Sequence, residues 1–276
     1  MLRDRAASAA VLVPVLLLIL WLAGPWLVAA VGLAVAVGAR EAFRLAGSAG
    51  MPTLPLLGLV VAVAAAVGDA AITSVPGVGL LIAAVGIVLI GAGALSRPDP
   101  RDGFTTWITT AALALYVSLL GFVTRLGSLG PDVPADAPLA ALGGERGWIL
   151  LLLLGVWSFD TAAYIVGRRF GRHGFMRHIS PSKTVEGVIG GGAAAIAVTA
   201  LMLWALGASV AGSLVLGPLL AASAQAGDLA ESMLKRAAGA KDSGALIPGH
   251  GGMLDRLDSF LFAAPVMALC VAALYR

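Results

Sequence analysis

The stretch GWILLLLLGVWSFDTAAYIVGRRFGR, residues 147–172, decides the fold. From 147 to 167 it carries one carboxylate, Asp160, in an apolar run, and it then leaves into Arg168, Arg169 and Arg172. A helix rises about 1.5 Å per residue, so about 20 predominantly apolar residues cross a hydrocarbon core about 30 Å thick. The segment reads as a membrane-spanning helix whose arginines meet the headgroup region.

The same pattern recurs along the chain. Nine segments qualify, at roughly 7–23, 26–44, 54–72, 75–95, 104–124, 147–167, 185–207, 209–230 and 259–275. The first two share a tight turn at Gly24-Pro25. The composition agrees: 59% of the 276 residues are hydrophobic and 12% charged, against about 25% charged in soluble domains. The mean hydropathy is +0.97. With the N-terminus placed in the cytosol, 15 of the 18 Lys and Arg fall in cytosolic segments, as the positive-inside rule requires. The expected fold is an all-α polytopic membrane protein of about nine transmembrane helices, its N-terminus cytosolic. Residues 1–146 form an N-terminal transmembrane region of about five spans. Residues 147–276 form a C-terminal transmembrane region of about four, with cytosolic loops whose polar residues make it the expected catalytic half. The loop 125–146 is expected to be a solvated connector.

Arg3 and Arg5 before an apolar run resemble a secretory leader. Pro14 and the lack of a small-x-small cleavage site favour a retained helix. A net charge of +3, without a long basic tract, excludes nucleic acid as a partner. The single cysteine, Cys270, offers neither a disulfide nor a metal-ligand pattern.

Polar residues gather in two cytosolic segments, 160–186 and 228–258. In a membrane helix an ionisable residue is costly and is a functional candidate. If the span at 209–230 continues as a helix, Asp228, Ser232 and Lys235 share a face, flanked by Glu231. A carboxylate, a hydroxyl and an ammonium on one stripe suit a metal–phosphate site. A Gly-rich loop follows, through Lys241, Asp242 and His250, whose backbone N–H groups can form an anion nest. Asp255 and Asp258 then lie on one face at a helix start, with Arg256 turned away. Upstream, Asp160 and Tyr164 also share a face. Ser180-Pro181 reads as an N-cap with Pro at the first helical position. Gly187 and Gly191 allow close helix contact. The arginines attract either anionic headgroups or a substrate phosphate; Arg172 and Lys183 are the candidates for the latter. A secondary transporter would instead hold its ionisable groups near the midplane in broken helices.

The run SMLKRAAGAKDSGALIPGHGGMLDRLD, residues 232–258, resembles the signature of the phosphatidate cytidylyltransferase family at every fixed position. The upstream Asp160-x3-Tyr164 and Ile179-Ser-Pro-Ser-Lys-Thr-x-Glu-Gly187 are similar to it as well. A related polyprenol or phytol kinase would lack the contiguous run. The resemblance implies conversion of CTP and phosphatidic acid to CDP-diacylglycerol and pyrophosphate at the cytosolic face of the inner (plasma) membrane. It implies Mg2+ or another divalent cation on Asp228 and Asp255, with a monovalent cation such as K+ nearby. Catalytic roles are expected for Lys235, Arg236, Lys241, Asp242, His250, Arg256 and Asp258. Substrate contacts are expected for Asp160, Tyr164, Arg172, Ser180, Lys183 and Ser232. A homodimer is the expected assembly, if any.

Overall fold

The computed structural model describes residues 2–75, 77–246 and 251–275. Ten α-helices account for most of them: α1 (Leu2–Leu22), α2 (Gly24–Ser48), α3 (Pro55–Ala71), α4 (Val78–Ala94), α5 (Pro100–Ser118), α6 (Phe122–Leu129), α7 (Gly143–Phe170), α8 (Val185–Ala205), α9 (Ser213–Ala237) and α10 (Leu254–Leu274). Among the described residues there is no β-strand; one isolated antiparallel bridge pairs Gly174 with Thr184.

The nine apolar segments correspond to α1–α5 and α7–α10. Six stretches are long and apolar enough to cross a membrane: Gly24–Ser48, Pro100–Leu129, Ala140–Phe170, Val185–Ala205, Val210–Ala237 and Leu254–Leu274. The apolar helices at Val13–Leu22, Pro55–Ala71 and Val78–Ala94 are shorter. A helix of 17 residues extends about 25 Å, just under the core thickness. The chain is an all-helical membrane protein, and its exterior suits lipid: Leu56, Leu80 and Leu95 are 81%, 75% and 85% exposed.

The helices fall into two compact units. The first contains residues 1–124 and 231–257. Within it α3 packs against α2, α4 and α5. The packing stripe of α2 is Val35, Ala39, Ala42 and Ala46, all fully buried. This helical spacing of small side chains lets backbones approach, which is how helices associate where lipid removes the hydrophobic drive. The second unit contains residues 125–230 and 258–276. Its principal contact is α7 on α8. Leu151, Leu152, Val156 and Phe159 form the buried stripe of α7. The close approach expected at Gly187 and Gly191 is present: a Cβ on Gly191 would lie 2.8 Å from the Phe159 carbonyl oxygen.

Two local expectations are corrected. Helix α8 does not begin at Ser180-Pro181. Its N-cap is Thr184, in extended conformation, whose side chain accepts the Gly187 N–H. Phe175 N–H donates to Lys183 C=O and Val185 N–H to His173 C=O. That pairing closes the turns of 176–182 into a loop, holds Thr184 extended and delays the helix. Nor is 125–146 wholly a solvated connector. It contains the end of α6, where Leu126 is fully buried, and a 3-10 turn at Ala140–Leu142. The Trp148 indole N–H holds Pro131 C=O at 3.2 Å.

Candidate functional site

Helix α9 continues to Ala237 and ends before Gly239, whose φ of +65° suits a helix stop. The expected stripe is therefore helical. Asp228 falls in the second unit, Glu231 to Lys235 in the first.

In the first unit the Lys235 ammonium sits between two carboxylates, 2.5 Å from Glu231 Oε2 and 2.6 Å from Asp255 Oδ1. The Lys235 and Asp255 side chains are 11% and 7% exposed, and Glu231 is fully buried. Burial of these charges is tolerable because each is paired and hydrogen-bonded. Asp255 is in the first turn of α10. Its Oδ2 accepts three hydrogen bonds at 2.8 Å, from Ser243 N–H, Ser243 Oγ–H and Gly252 N–H. The motif loop thus folds back on its own aspartate. Glu41 and Arg44 of α2 complete the cluster. Glu41 Oε2 accepts the Leu254 N–H at 2.8 Å, and the Arg44 guanidinium donates to Ser243 C=O.

In the second unit Lys183 Nζ is 2.5 Å from Asp228 Oδ2, with side chains 17% and 31% exposed. Glu186, in the first turn of α8, accepts the N–H groups of Arg172 and His173 and faces His173 Nδ1 at 2.6 Å. Arg172 is thus fixed by its backbone, and its residue is exposed.

The other expected residues are placed as follows. Tyr164 is exposed and accepts from Arg168 Nη1 at 2.8 Å. Asp160, one turn earlier on α7, is exposed too. Ser180 lies in the turn before Thr184, its N–H on Met176 C=O. Ser232 is buried on α9. Arg236 Nη1 donates to Ala240 C=O at 3.0 Å. Lys241, Asp242 and Arg256 are exposed. Asp258 accepts the Ser259 N–H at 2.7 Å. His250 lies outside the described residues.

Sequence reasoning did not select Glu41, Arg44, Ser243 or Glu186, and it treated Glu231 only as a neighbour. Glu231 had a usable signal, since Glu four residues before Lys is the favoured order on a helix. Glu41 had only its charge within an apolar helix.

The donors fit a hard divalent cation: carboxylate oxygens, with neither sulfur nor a cluster of imidazoles. Among the described residues no three His, Cys, Asp or Glu side chains are grouped to hold a metal. A Mg2+ ion on either aspartate would take its remaining ligands from water and substrate phosphate, as Mg2+ usually does. Asp228 is paired with the Lys183 ammonium, and Asp255 with that of Lys235.

The model of the cytidylyltransferase family matches residues 3–274. The chain is 45% identical over 129 residues to the phosphatidate cytidylyltransferase of Staphylococcus saprophyticus, covering 44% of this chain and 47% of the relative. It is 45% identical over 122 residues to those of Staphylococcus aureus and Staphylococcus haemolyticus, with the same coverage. The matched part spans about half the length of these curated relatives. Because the family match runs over nearly the whole sequence, this chain belongs to the cytidylyltransferase family.

Proposed function

We propose that this protein is a phosphatidate cytidylyltransferase, forming CDP-diacylglycerol and pyrophosphate from CTP and phosphatidate. The observation that carries the reading is the buried Lys235–Asp255 pair, with Ser243 and Gly252 of the motif run donating to Asp255, in a chain of this family. The reaction is placed at the cytosolic face of the inner membrane, where the nucleotide is soluble and the acyl chains stay in the bilayer. Nine crossings with a cytosolic N-terminus belong to the same proposal, supported by the distribution of Lys and Arg.

A phosphate oxygen of the lipid attacks the α-phosphorus of CTP, and the bond to the β-phosphate oxygen breaks. The lipid phosphate is already anionic near pH 7, so no side chain need act as base. Positioning and charge neutralisation then dominate. Asp228 and Asp255 would hold the divalent cation, with K+ as a second ion. Once bound, the divalent cation would neutralise charge on the nucleotide phosphates. Lys235 has three N–H donors. Two go to Glu231 and Asp255, and a pyrophosphate oxygen needs only the third. Arg236 and Lys241 would add charge at the mouth of the loop. Lys183, released from Asp228, would reach a substrate phosphate.

The test uses purified protein in detergent with radiolabelled CTP, phosphatidate and Mg2+. Chloroform-soluble label, abolished by a chelator, is expected. A folded preparation that labels no lipid with any of several divalent cations would overturn the reading.

A further inference from the structure

Glu41 is far in sequence from the motif run, yet it is 7% exposed and touches both ends of the segment 243–254. Its Oε2 accepts the Leu254 N–H at 2.8 Å and lies 3.1 Å from Ser243 Oγ. The Leu254 amide opens α10, where the first N–H groups have no partner within the helix. A carboxylate from another helix therefore does the work of a local N-cap. The fit is close. A Cβ on Gly244 would come 2.5 Å from Glu41 Oε1, and one on Gly252 2.5 Å from Oε2. Arg44, one turn along α2, holds the Ser243 carbonyl.

Ser243 Oγ connects Glu41 to Asp255, at 3.1 Å and 2.8 Å. A hydroxyl carries one proton and can donate it to one of the two carboxylates at a time. Glu41 thus gives the hydroxyl a second acceptor. Asp255 Oδ2 can release that donor without leaving it unsatisfied in a buried place, a loss that would otherwise be costly.

We propose that Glu41 is a positioning residue for Asp255: it clamps Ser243 and Leu254 onto α2 and takes over the Ser243 hydroxyl when Asp255 engages a cation. The kinetic part of this rests on the cytidylyl-transfer reading; the clamp does not.

The experiment compares the full chain in detergent with Glu41→Ala, Glu41→Leu and Glu41→Gln. Amide hydrogen exchange across residues 240–256 is read without divalent cation, beside CTP turnover with Mg2+. Ala and Leu should speed exchange at Leu254 on the order of tenfold, the scale of one lost buried hydrogen bond. They should lower kcat by a similar factor while KM for CTP moves less than about threefold. Gln, whose carbonyl oxygen can replace Oε2, should restore both. Wild-type exchange and kcat in a folded Ala or Leu variant would overturn the proposal, as would a Gln variant as impaired as Ala. If neither Ala nor Leu folds, Ser243→Ala must reproduce the fall in kcat, and wild-type kcat there also overturns it. A wild-type chain that labels no lipid removes the activity reading, while the exchange data still decide the clamp.

Discussion

Lys183 Nζ lies 2.5 Å from Asp228 Oδ2, joining the turn before α8 to α9 within the second unit. Lys183 Nζ itself is buried, but the Asp228 side chain is 31% exposed, so water can solvate the carboxylate left behind and removing the ammonium costs little stability. If Lys183 also holds substrate phosphate, Lys183→Met should cost far more in activity than in folding. The expected outcome is a melting temperature within a few degrees of wild type, with turnover down at least about tenfold. Comparable turnover in the variant would make the pair structural only.

Asp228→Asn and Asp255→Asn should behave differently. Both remove an anionic ligand, so both should lose on the order of 10³-fold in turnover. Asp255 is in addition the acceptor for three donors of its own loop and for the Lys235 ammonium. An amide there turns an N–H2 toward Lys235 or toward the loop donors, at a cost of about 1–3 kcal/mol. Thermal melts should show a larger fall in midpoint for Asp255→Asn than for Asp228→Asn, whose side chain is 31% exposed. Equal midpoints would remove the structural part of the Asp255 role.

Lys235→Met should be the most destabilising of these changes, because Glu231 and Asp255 would be left buried without their cation. Breaking a buried pair in this way costs about 3–5 kcal/mol. Adding Glu231→Gln should recover part of the loss, since neighbours sharing an interaction are non-additive. A double variant no more stable than Lys235→Met alone would contradict the arrangement.

Divalent cation should raise the melting temperature of the wild-type chain. Ligand at about 100 times its Kd stabilises the folded state by about 2.7 kcal/mol. Either aspartate-to-asparagine variant should lose most of the shift. An undiminished Mg2+ shift in both would place the cation elsewhere.

Topology has its own test. Ser182 and Ala245 are exposed, whereas Ser243 is fully buried in the hydrogen-bond cluster and is a poor reporter. Cysteines at 182 and 245 should resist an impermeant thiol reagent added outside intact cells and react after permeabilisation. Labelling from outside would reverse the proposed orientation.

The sequence alone determined the helical membrane architecture, because apolar runs of spanning length and a scarcity of charge leave few other solutions. It also located the motif aspartates and lysines, since helical spacing and their clustering in 228–258 are local properties. It misplaced the start of α8, because the Ser180-Pro181 signal was outweighed by the pairing of residues 173–175 with 183–185. Only the tertiary structure decided which charges meet. Lys235 chose Glu231 and Asp255, and Lys183 chose Asp228. Glu41 became part of the motif loop although no local pattern connects them. A buried charge is stabilised by whichever donors the packing brings within about 3 Å, and that distance is a property of the folded chain, not of sequence spacing.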